Sequence, residues 1–64
     1  MFVHQEGTND CIECWIELNQ INFIKPQYYN GEISYYKLYL VSDSNPVSIT
    51  QETFDKIMAE KGMI

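Results

Sequence analysis

Ile33-Ser34-Tyr35-Tyr36-Lys37-Leu38-Tyr39-Leu40-Val41 is the stretch that decides how this chain folds. It is rich in β-branched and aromatic residues. Turn chemistry bounds it on both sides, Asn30-Gly31 before and Ser42-Asp43-Ser44-Asn45-Pro46 after. That composition predicts a β-strand. Side chains alternate between the two faces of a strand. One face therefore carries Tyr36, Leu38 and Leu40, and the other Ile33, Tyr35, Lys37, Tyr39 and Val41. Neither face is polar. One has to pack on a core, and the other has to be covered or has to meet a partner.

Outward from this strand the periodicity is readable in both directions. Asn30-Gly31 is a strong hairpin signal, because both residues tolerate positive φ. It joins the strand to Ile21-Asn22-Phe23-Ile24-Lys25, a second strand expected to end at Pro26, which has no amide to give a ladder. Further back, residues 11–18 alternate. Ile12, Cys14, Ile16 and Leu18 take the aliphatic, inward side, and Cys11, Glu13, Trp15 and Glu17 the outward side. Residues 1–10 read as a short strand at Phe2-Val3-His4 or a frayed end, followed by a loop. Past Pro46, Val47-Ser48-Ile49 reads as a short fourth strand. Thr50 is a helix N-cap by residue type, and Glu52 suits the positive end of the helix dipole. Phe54, Ile57 and Met58 share one helix face. Gly62 suits the position after the last turn. The helix is expected over about residues 50–61 and is too short to stand without docking. The expectation is one α+β domain over residues 1–64: an antiparallel sheet of three to four strands over about residues 11–49, with the C-terminal helix packed on one face.

Bulk properties narrow the function. A chain of 64 residues buries only about 60% of its unfolded surface, so its core is minimal and a metal, a disulfide or a partner subunit is a common supplement. The net charge is −5, and Lys25, Lys37, Lys56 and Lys61 are the only strong bases. Nucleic-acid binding and anionic membrane binding both want clustered cations, so neither is expected. No apolar run reaches the ~20 residues of a membrane span. Met1 to Asp10 lacks the pattern of a secretory signal. A cytoplasmic protein with reduced thiols is the expectation.

Three runs carry a resemblance: residues 15–24, Tyr36-Lys37-Leu38-Tyr39-Leu40, and residues 49–57. Their spacing resembles that of short phage and mobile-element accessory proteins, and is loosely similar to small flagellar FlbD/SwrD-type proteins. The resemblance implies a small sheet-plus-helix accessory protein. It carries over no catalytic or binding residue.

Chemistry-bearing residues are few. Cys11-Ile12-Glu13-Cys14 has redox spacing, but a redox pair wants a helix N-terminus and this run reads as strand. A zinc site wants four ligands; His4, Cys11 and Cys14 supply three, with Asp10 or Glu13 as a fourth, or a metal shared between subunits. Two reduced cysteines, Cys14 in the core and Cys11 near the surface, are the simpler reading. His4 with Cys11 lacks a third group to orient the base. Glu13 and Glu17 share a strand face, where carboxylates are ordinarily solvated. No cofactor and no catalytic residue is expected. The aromatics weigh more. Trp15, Phe23, Tyr35 and Tyr39, edged by Glu17, Lys25 and Lys37, are expected to form an outward patch of the kind that anchors protein interfaces; tyrosines that merely cover a thin sheet are the plain alternative. The expected function is a small acidic, non-enzymatic protein-interaction module, of the phage modulator or inhibitor kind, that binds a protein partner or a second copy of itself as a homodimer. Alternatives are a zinc-stapled domain and an acidic nucleic-acid mimic that blocks a basic groove.

Overall fold

In the computed structural model, which describes residues 1–62, the chain runs β1 (Phe2–Gln5), β2 (Cys14–Glu17), a single 3₁₀ turn (Leu18–Gln20), β3 (Ile21–Tyr29), β4 (Glu32–Leu40), β5 (Val47–Ile49) and α1 (Gln51–Glu60). Met63 and Ile64, the end of the expected domain, lie outside the described residues. The architecture is α+β, with one difference from expectation. The strands form two antiparallel sheets, β1-β2 and β3-β4-β5.

The central strand is β4, paired on both sides. Its alternation is as read: Tyr36 and Leu38 are buried, Leu40 is half-buried, and the core consists of Val3, Ile16, Leu18, Tyr36, Leu38, Ile49 and Ile57. The helix lies on this face. Thr50 accepts a hydrogen bond from the Thr53 amide at 3.1 Å, which satisfies one of the orphan donors of the first turn. Ile57 is fully buried, and the Phe54 ring stacks on Tyr36 at 4.0 Å with the planes 2° apart. The Tyr36 hydroxyl then donates to Gln51 Oε1 at 3.0 Å. Gly62 takes φ +72°, the left-handed conformation that ends the helix.

The β3–β4 hairpin turns through Asn30 (φ 52°) and Gly31 (φ 80°), the two-residue turn whose twist matches paired strands. Contrary to expectation, β3 continues through Pro26, which pairs with Tyr36. This is allowed because β3 is an edge strand, bonded on one side only. Two irregularities interrupt the ladder. Asn22 is extra between the Ile21–Leu40 and Phe23–Tyr39 pairs, and Ser34 is extra between the Gln27–Tyr35 and Tyr28–Ile33 pairs. The second bulge moves Ile33 to the face of Tyr28, away from Tyr35 and Tyr39 where strict alternation had placed it.

The N-terminal segment is where the sequence misled most. Phe2–Gln5 is a strand paired with β2, so sheet structure begins well before residue 11. Strand β2 starts only at Cys14. Residues 11–13 belong to a loop organised by Thr8, whose Oγ1 accepts from the Cys11 amide at 3.0 Å and the Asp10 amide at 3.3 Å. The loop pulls Cys11 inside, where it is buried, and leaves Ile12 exposed. Cys14 is half-buried. The expected order of the two cysteines is thus reversed, and Ile12 is no core residue. Gln5 links the two sheets. It is fully buried; its amide donates to the carbonyls of Ile12 (2.9 Å) and Ser48 (3.1 Å), and its Oε1 accepts from the Thr50 amide (3.0 Å).

Candidate functional site

The face of β3-β4-β5 opposite the helix is built by strand register. The directly opposed pairs Phe23–Tyr39, Lys25–Lys37 and Gln27–Tyr35 share that face, and Ser48 of β5 stands opposite Lys37. None of these side chains belongs to the core cluster. Phe23 and Tyr39 stack with ring centroids 4.5 Å apart and planes 14° from parallel, while Phe23 remains 46% exposed. Tyr35, Lys37 and Tyr39 are half-buried and Lys25 is exposed. The result is a ladder of three rows: an aromatic stack, a pair of ammonium groups, and a tyrosine beside a glutamine. Five of the expected patch residues, Phe23, Lys25, Tyr35, Lys37 and Tyr39, are brought together here.

Trp15 and Glu17 are not among them. Both lie on β2, in the other sheet, where Trp15 pairs with His4 and Glu17 with Phe2. Trp15 is 68% exposed and leans on the His4 ring at 4.7 Å. Glu17 works locally. Its carboxylate accepts from the Asn19 amide at 3.2 Å, capping the 3₁₀ turn, and from the Met1 ammonium at 3.2 and 3.3 Å. These contacts, the Asn19 amide first, hold its carboxyl below the usual carboxylate range against a smaller opposing effect of desolvation. A single outer face carrying Trp15 with Tyr39 presupposed one continuous sheet. The break between β2 and β3 at Leu18–Gln20 removes that premise.

The candidate metal ligands are dispersed for a similar reason. His4 points to the outward side of its sheet, paired with Trp15, whereas Cys14 pairs with Gln5 on the inward side. His4 Nε2 meets Glu13 Oε2 at 2.9 Å. Among the described residues no three His, Cys, Asp or Glu side chains gather closely enough to hold a metal ion, so His4, Cys11 and Cys14 are not brought together in this structure. Both cysteines are free thiols. Burial, then the neighbouring Cys11 and Glu13, push the Cys14 thiol above its ordinary value and disfavour the thiolate that nucleophilic chemistry needs.

A groove opens between β3 and the helix. It has a volume of about 390 Å³ and is lined by residues 21–24 of β3 and by Phe54, Met58 and Lys61. It is apolar and offers no convergent catalytic groups.

No protein-family model, no curated protein and no solved structure matches the chain. The geometry of the β3-β4 face therefore carries the functional reading. Lys25, expected at the edge of the patch, stands in its central row. The register that sets it against Lys37 depends on the Ser34 bulge, which lies between that row and the hairpin turn and which no local pattern announces. Among the described residues, no helix is long and apolar enough to cross a membrane.

Proposed function

We propose that this protein is a small, non-enzymatic protein-interaction module that docks a partner protein on the uncovered face of β3-β4-β5, with Phe23, Tyr35 and Tyr39 as anchors and Lys25 and Lys37 as the charged contacts. The observation that carries it is the Phe23–Tyr39 stack, held outside the core on directly paired strands. Stacked aromatics on a rigid sheet offer large contact area with little conformational entropy left to lose. The reading includes a role in modulating or inhibiting that partner, in a reducing, cytoplasmic setting of the kind in which two free thiols persist.

A foreign partner is favoured over a second copy. In a two-fold interface the same patch meets itself. Centred on this face, such an interface would bring the Lys25–Lys37 pairs of both copies together, and like charges across an interface are unfavourable.

The test is site-specific photo-crosslinking in the cells that make the protein, with a benzophenone side chain in place of Tyr35 or, separately, of Trp15. A discrete adduct from position 35 that disappears when Tyr39→Ala is added supports the reading. Adducts of twice the chain mass would replace it with self-association. Adducts from position 15 alone would move the interface to the other sheet.

A further inference from the structure

The Lys25–Lys37 pair states what the partner offers. Two like charges directly opposed across an antiparallel pair destabilise a sheet. Among the described residues, neither ammonium has a carboxylate within 4 Å, whereas Lys56 has Glu52 at 3.6 Å, the Met1 ammonium has Glu17, and His4 has Glu13. The other side chains of the three rows are uncharged. Glu32, opposite Tyr29 at the hairpin end, is the nearest acid in the β3–β4 register. A chain of net charge −5 thus presents a locally cationic row, bounded along the strands by Phe23–Tyr39 on one side and Gln27–Tyr35 on the other.

Successive rows lie two residues apart along the strands, about 6.5–7 Å. An extended peptide repeats its same-side side chains at that same distance. We infer that this face takes an extended acidic segment of a partner protein, in which a carboxylate side chain flanked two positions away on each side by apolar or aromatic residues sits on the Lys25–Lys37 row. This rests on the sheet-face reading above and specifies its ligand. A nucleic acid fits less well. It would lay a phosphate on every nucleotide across a footprint that has two cations within an acidic molecule, and its affinity comes from many such neutralisations. A segment with one or two carboxylates meets only the lysine row. At physiological salt the acids elsewhere on the molecule are screened beyond about 8 Å, while the direct contact is not.

The experiment is a selection of randomised short peptides on the intact chain, followed by fluorescence polarisation of an enriched peptide against variants. The expected result is an acid enriched between two apolar positions at i−2 and i+2. Binding should weaken at least about tenfold when Lys25→Gln and Lys37→Gln are combined, the loss expected for charge-assisted hydrogen bonds. A chain with both Lys25→Glu and Lys37→Glu should recover binding when the acid of the peptide is changed to lysine, which separates a charge effect from a folding defect. Enriched peptides without an acid, lost with Tyr39→Ala but not with the lysine variants, overturn this inference and leave the sheet-face reading intact. Peptides that ignore Tyr39→Ala sink both. Tighter binding of an oligothymidylate than of any peptide, or no enrichment at all, also overturns the inference, and the crosslinking at position 35 then decides the sheet-face reading independently.

Discussion

The side-chain amide of Gln5 donates to the backbone carbonyl of Ser48 at 3.1 Å, across 43 positions of sequence. The same side chain accepts from the Thr50 amide and donates to the Ile12 carbonyl. One glutamine thereby occupies the free edge of β5, fixes the residue that caps the helix, and anchors the loop that buries Cys11. Buried polar groups are costly when unpaired and modestly favourable when fully paired.

Gln5→Leu, of similar volume, should therefore destabilise the chain by about 2–4 kcal/mol, because it strands two carbonyls and an amide. Gln5→Ala should be no better. Urea denaturation of both variants measures this; a Gln5→Leu protein as stable as the parent would show that water replaces the side chain freely.

The hairpin turn makes a sharper test of backbone conformation. A Cβ at Gly31 would meet nothing within 4 Å, so only the φ of +80° opposes substitution. Gly31→Ala should cost about 1–2 kcal/mol, whereas Asn30→Gly should change stability by only a few tenths. Thermal denaturation midpoints check the contrast, and an unaltered midpoint for Gly31→Ala would contradict the turn geometry.

Reversing one lysine should stabilise the free protein. Lys25→Glu converts an opposed like-charge pair into an attractive one, worth about 0.2–1 kcal/mol, and added salt should erode the gain. A variant more stable at low salt yet deficient in partner binding would identify the row as a site where stability is given up for recognition. A lower melting midpoint at low salt would rule out repulsion in that row.

Acid should reveal the Glu17 cap. Its folded carboxyl is held below the ordinary glutamate value of 4.5, so the unfolded chain binds the proton first as pH falls. The stabilisation is complete above the ordinary value and is lost as pH falls through the lowered folded one. Denaturation midpoints of the parent and Glu17→Gln should be separated near neutrality and converge in acid. Curves that stay parallel throughout would remove the carboxylate from the cap.

What could be read in the sequence was local. Thr50, Phe54, Ile57 and Met58 define the helix and its inward face because cap and period act within a few residues. Asn30-Gly31 and the alternation of Tyr36, Leu38 and Leu40 work the same way. The failures are all relations between distant segments. The alternation from Cys11 to Leu18 continued past the real start of β2, since the Thr8 loop that captures Cys11 is a matter of hydrogen bonds and not of hydrophobic period. Trp15 was assigned to the wrong sheet because pattern shows which side a residue takes, not which strands are neighbours. Gln5 gave no signal, since a glutamine near a terminus is usually solvated. The site was half legible: Tyr35, Lys37 and Tyr39 came from β4 alternation, but the opposition of Lys25 to Lys37 came from a register set by the Ser34 bulge.

Pro26 has a further consequence for how the molecule behaves at high concentration. Strand β3 is a nine-residue edge, and an edge of that length is a template on which fibrils can grow. Pro26 divides it into five residues before and three after, both shorter than the six- or seven-residue segments that zip into cross-β spines. The proline that sequence reading took for the end of a strand is thus a guard against self-templated polymerisation, placed on the strand that also exposes Phe23 and Lys25.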